Sequence, residues 1–180
     1  MQWKKLVFSI ACLLAAVIAG VVFADDHERR HHDDDHEEHG SERLAPVSNE
    51  TYARECGACH FAYQPGLLPA GSWEKILGQL PSHFGEDAAL DEESLKTVGR
   101  YLGENAAEGS SSKRSRKILR SLKGQAPARI TDVPYIREKH HELDSRVFER
   151  PSVGSFSNCI ACHATADRGD YDDDSARIPR

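Results

Sequence analysis

Methionine is almost missing from this chain: Met1 is the only one in 180 residues. Once Met1 leaves with an export signal, no methionine sulfur can ligate a metal. Aromatic residues make up 7% of the chain, with two tryptophans and six phenylalanines, so the side chains alone furnish a thin core. No segment sustains the alternation of a half-buried strand, which points to a mostly helical protein. Basic residues are outnumbered, 23 against 29 acids, and a nucleic-acid partner is excluded for want of a basic face. Cysteine is scarce as well, with five in all: Cys12, Cys56, Cys59, Cys159 and Cys162.

At the start, Lys4 and Lys5 precede an apolar run from Leu6 to Phe23, with Val22 and Ala24 placed as the small residues of a cleavage site. Residues 1–24 are therefore expected to be a signal peptide, and the chain to be periplasmic, with membrane contact only if the segment stays uncleaved. Cleavage leaves 21 basic against 29 acidic side chains, a net charge of −8. That balance favours a basic protein partner in a salt-sensitive association. Residues 25–40 carry eight acids, five histidines (His27, His31, His32, His36, His39) and nothing apolar. They cannot offset the entropy of ordering, so 25–45 is expected to be a disordered acidic leader.

Beyond the leader, Ser48 is expected to cap a short helix reaching Cys56, and Ser72 a helix bearing Trp73, Ile76, Leu77 and Leu80 up to Pro81. Asp91 caps a third helix, with Glu92 and Glu93 favoured by the dipole and Leu95, Val98 and Leu102 facing inward. Glu108–Lys117, "EGSSSKRSRK", is expected to be a polar connector between two domains, followed by short helices near 118–122 and from Pro134. The terminal Asp167–Asp174 is expected to be a solvated tail or a docking patch for a basic partner.

The chemistry is concentrated in one signature that occurs twice, Cys-x-x-Cys-His at Cys56, Cys59, His60 and at Cys159, Cys162, His163. Disulfides three residues apart close loops too short to constrain the chain and leave both histidines unexplained. Paired zinc knuckles are spaced by about 15–20 residues, whereas these motifs lie at opposite ends of the chain. A thioredoxin-like pair expects a single motif among strands. On a helix, positions i, i+3 and i+4 share a face, so two thiols can hold one haem by its vinyl groups while the adjacent imidazole reaches the iron. Two covalent c-type haems follow, with His60 and His163 as proximal iron ligands. For the opposite face of each iron, the chain outside leader and motifs offers only His83, His140 and His141. His140 shares an apolar helical stripe with Ile136, Leu143 and Val147, whereas His141 points about 100° away. His83 and His140 are the first candidates, with His141 as the alternative to His140.

The stretches "YARECGACHFAYQPGLLPAGSWEKIL", "HFGEDAAL", "ITDVPYIREKHHEL" and "CIACHATADRGDYDDDSARIP" resemble the dihaem cytochrome c family of bacterial periplasms. One member of that family partners the oxygen-binding sphaeroides haem protein. The resemblance implies two small helical haem domains with long irregular loops. The first, 46–108, would be class I cytochrome c-like, and the second, 109–180, differently built. It implies an electron carrier rather than an enzyme, with bis-histidine haems whose distal ligands fall on His83 and His140. Expected partners are an oxygen-binding class I-like haem protein or a membrane b-type cytochrome. The rival functions are a peroxidase or small-oxyanion reductase using a dissociable distal histidine, and a haem subunit or sensor docked to a membrane b-type cytochrome.

Overall fold

The computed structural model describes residues 41–180. The expected signal peptide and the histidine-rich stretch 25–40 lie outside the described residues. Within them the chain forms five α-helices joined by 3-10 turns and long loops, with no strand beyond an isolated bridge between His83 and Glu86. No helix among the described residues is long and apolar enough to cross a membrane.

Helix α1, Glu50–Cys56, is capped by Asn49, whose carboxamide accepts from the Tyr52 amide at 2.8 Å. The expected cap, Ser48, instead donates its amide to the Tyr101 hydroxyl. Helix α2, Ala70–Leu77, begins earlier than expected because the Pro69 carbonyl already accepts from the Ser72 and Trp73 amides. Ser72 is therefore a buried first-turn residue and not the cap, and Leu80 sits in a separate 3-10 turn, Leu80–Ser82. Helix α3, Glu92–Glu104, starts where expected, with the Asp91 carboxylate accepting from the Ser94 amide at 2.9 Å. Its inner face is Val98, Tyr101 and Leu102, while Leu95 is 37% exposed.

Residues 113–117, the second half of the expected polar connector, are in fact the first half of helix α4, Lys113–Leu122. Ser112 caps it, accepting from the Arg114 amide, and Ser115 is fully buried with its hydroxyl donated to the Gly66 carbonyl at 2.8 Å. Arg114, Ile118 and Leu122 recur every fourth residue, so this polar-looking text presents one buried face. Helix α5, Pro134–Lys139, ends one residue before His140, so the expected helical stripe does not run on to Leu143 and Val147. Val147 lies in a separate 3-10 turn capped by Asp144.

A single buried cluster gathers Tyr52, Leu67, Leu68, Val98, Leu102, Ile118, Leu122, Val133, Ala166 and Tyr171, drawn from both ends of the described chain. Residues 41–180 fall in one compact unit. Two expectations about its edges change. Leu44, 2% exposed, belongs to the core, so the folded part starts ahead of the expected leader end at 45. The acidic terminus folds back as well: Asp170 pairs with Arg43 at 2.6 Å, Asp173 pairs with Lys139 at 2.8 Å, and Tyr171 is buried. The Leu44 amide donates to the Gly169 carbonyl, and a Cβ on Gly169 (φ 76°) would stand 2.2 Å from the Leu44 oxygen, so only glycine permits this closure.

Gln64 ties the two halves together. Its amide donates to the Ala166 and Asp167 carbonyls at 2.6 and 3.2 Å, and its oxygen accepts from the Tyr171 hydroxyl at 2.5 Å, all with the residue fully buried. Gln64→Ala leaves the buried Tyr171 hydroxyl without its acceptor and cuts both tethers to the Ala166 and Asp167 carbonyls, and a loss of about 1–3 kcal/mol is expected. Denaturant unfolding of the haem-loaded protein reads this as a lower midpoint.

Candidate haem centres

The first Cys-x-x-Cys-His begins where α1 stops. Cys56 is the last helical residue, Gly57–Cys59 form a turn and His60 follows in a bend, so the motif occupies a helix end and not a continuous helix. The His60 Nδ1 stands 2.8 Å from the Phe61 carbonyl. A carbonyl only accepts, so Nδ1 carries the proton and Nε2 keeps its lone pair for a metal. Across from it stands His83, with ring centroids 6.4 Å apart and planes 29° apart. His83 comes from the 3-10 turn after α2, and the residue behind it, Phe84, adopts a left-handed backbone (φ 53°) under the Arg129 guanidinium at 3.8 Å. That contact offsets part of the cost of the unusual backbone and fixes the turn that presents His83.

The second motif lies on the 3-10 turn Cys159–Ala161, and the His163 amide reaches the Cys159 carbonyl at 2.8 Å, which keeps both on one turn. His163 faces His140 at 6.1 Å between centroids, with planes 80° apart. The His140 Nδ1 lies 2.7 Å from the Ile136 carbonyl, again leaving Nε2 bare, and Phe156 packs edge-on against its ring at 5.1 Å. His141 points elsewhere: it is exposed, held to the Glu138 carbonyl and near the Glu138 and Glu142 carboxylates. His140 thus reaches its position as the C-cap of α5, one residue past the helix, and not from the extended stripe.

Electrostatics suit neutral imidazoles. Burial, followed by the facing imidazole, lowers the pKa of both His83 and His163. Burial pushes the Cys56 and Cys159 thiols up to about 11, which keeps them protonated. An imidazole nitrogen about 2 Å from a metal on each side separates two opposed ring centres by about 6 Å. Both pairs have that spacing. No group of three or more His, Cys, Asp or Glu among the described residues converges on a metal ion, so the four free cysteines do not gather into a zinc site. A porphyrin supplies four nitrogens itself and asks the protein for two axial ligands, and each facing pair offers two. The residues fit the group.

Three neighbours escaped the sequence reading. Tyr63 packs on His60 at 4.9 Å and donates its hydroxyl to the Ser157 carbonyl at 2.8 Å, just ahead of the second motif. The Tyr171 ring lies 5.8 Å from that of His163, and the Arg114 Cζ sits over the Tyr171 ring, 5.6 Å from its centre. For Arg114 alone a signal existed in the text, its offset of four from Ile118. A cleft of about 540 Å³ opens between Arg43, Arg114, Lys139 and Asp173, and none of the candidate ligands lines it.

A helical fold with two thiol pairs, each followed by histidine, and two facing imidazole pairs define the class of multihaem c-type cytochromes. The family model for dihaem cytochrome c matches residues 52–171, which span both motifs, and the chain belongs to that family. Two solved structures of dihaem cytochrome c from Rhodobacter sphaeroides are similar. One is 42% identical, covering 71% of this chain and all of that one at a TM-score of 0.63. The other is 41% identical, covering 70% and 99% at 0.57. A dihaem cytochrome c from Shewanella baltica OS155 is 36% identical, covering 73% and 93% at 0.60. No curated protein matches the chain. As in its family, the chain carries two c-type haems with iron and works by haem-based electron transfer.

Proposed function

We propose that this protein is a periplasmic electron carrier whose two irons each take two histidines. Cys56 and Cys59 hold the first haem, with His60 and His83 as axial ligands. Cys159 and Cys162 hold the second, with His163 and His140, and His141 stays at the surface. Residues 46–108 and 109–180 contribute one centre each within the shared core. Each haem supplies a one-electron couple, and the polypeptide sets its ligation, orientation and exposure. Two imidazoles, in place of a methionine and a histidine, favour a lower potential.

The observation that carries this reading is the pairing of imidazoles at 6.4 and 6.1 Å, with no methionine left to compete. With both axial positions filled, neither iron offers a place for substrate, which favours a carrier over a peroxidase or reductase. The acidic balance favours a basic redox protein as partner, such as an oxygen-binding class I-like haem protein or a membrane b-type cytochrome.

A redox titration followed by low-temperature electron paramagnetic resonance tests the ligation. Imidazole planes 29° apart split the iron d orbitals strongly, and planes 80° apart leave them close in energy. Two distinct low-spin ferric signals are therefore expected, one rhombic and one highly anisotropic, with neither centre binding carbon monoxide at rest. A high-spin ferrous centre in the native protein, or a methionine–iron charge-transfer band, contradicts the reading.

A further inference from the structure

We propose that Arg114 is a cation built into the second centre, raising its reduction potential relative to the same site without the charge. The proposal rests on the reading that His163 and His140 ligate an iron there. Arg114 is oddly placed for a structural residue. It is only 9% exposed, and it sits in the first turn of α4, where the helix dipole disfavours positive charge. Its Nη2 donates to the Tyr171 carbonyl at 3.2 Å, its Cζ lies over the Tyr171 ring, and its Nε is buried without a partner.

No carboxylate among the described residues pairs with Arg114. The nearby acids are already engaged, Asp170 with Arg43, Asp173 with Lys139, and Glu42 with Lys117. The guanidinium thus has no ion pair of its own, and Glu42 and Asp173 act on it only through space while bonded to their own lysines, so a fold retains this buried charge at a cost. Tyr171 is its link to the iron site: one face of the environment of this ring is Arg114, and the His163 ring lies 5.8 Å away. When the ferric centre takes one electron from a redox partner, it loses one unit of positive charge. A fixed cation nearby is repelled less by the reduced state and stabilises it, and burial limits screening by salt. At the first centre the corresponding cation, Arg129, is an exposed residue lying over the exposed Phe84 ring. The second centre therefore gains more from its cation.

The two midpoint potentials are measured in the haem-loaded native protein and in R114Q, R114K and R43Q, after mass spectrometry has counted the haems. R114Q is expected to lower the potential of the second centre and leave the first unchanged. R114K keeps the charge and is expected to stay near the native value, and R43Q, which removes a guanidinium that is itself exposed, to shift the second centre less than R114Q does. Loss of the second haem from R114Q alone, with R114K loaded and unshifted, also supports a requirement for charge. Unchanged potentials in R114Q, an equal fall at both centres, or the same defect in R114K and R114Q overturn the proposal. A native protein lacking two haems, or with an open iron, instead overturns the ligation on which it rests.

Discussion

Replacing Cys159 and Cys162 together by alanine is expected to yield a protein lighter by one haem and without a folded second centre. The reason is the thin core. Past α5 the chain has few apolar anchors: Val147, Val153, Ala166 and Tyr171 are buried, Phe148 and Phe156 pack on each other at 4.5 Å, and the backbone there is 3-10 turn and loop. His140 and His163 face each other 6.1 Å apart, a spacing that an iron stabilises and that two neutral imidazoles alone hardly do. Where a bound group organises a fold, its binding free energy is folding free energy. Removing all four thiols is expected to cost an amount comparable with the whole stability of a small domain, about 5–15 kcal/mol. Mass spectrometry and far-ultraviolet circular dichroism check both steps. Retention of full helix content and native melting by the four-alanine variant excludes haem as the organiser of the core.

The second large effect separates two adjacent histidines. His140→Ala is expected to open one axial position, turning the ferrous second centre high-spin and able to bind carbon monoxide. His141→Ala is expected to leave both spectra unchanged, because its ring is exposed between Glu138 and Glu142 and faces no other imidazole. The reverse pattern would assign the ligand to His141. His83→Ala is expected to open the first centre in the same way, since His83 is the ring opposite His60. Optical spectra of the reduced proteins with and without carbon monoxide distinguish all three variants.

Several features of this site were visible in the text alone, because they depend on residue type and short spacing. Cys-x-x-Cys-His announces haem attachment at any position in a chain, and one methionine among 180 residues makes histidine the expected second ligand. The Asp91 cap held for the same local reason, a carboxylate three residues before a free amide. Other local expectations slipped where a neighbour competed. Asn49 displaced Ser48 as cap, and Pro69 started α2 before Ser72. His140 was singled out on a helical stripe that the chain does not form past Lys139, and its place opposite His163 comes from the turn that ends α5.

Composition, and residues within one turn of one another, were enough for the cofactor chemistry, the helical class and the short list of three histidines. Packing alone set which histidines face each other, and buried Arg114 and Ser115 of a stretch that reads as solvated throughout. It also decided that the acidic terminus closes on Leu44 and Gln64. Those outcomes depend on contacts between residues well beyond one turn of each other, as far as the 107 positions that separate Gln64 from Tyr171. A polar side chain reads as solvated until the partner that buries it is known, and that partner is chosen by packing and not by spacing.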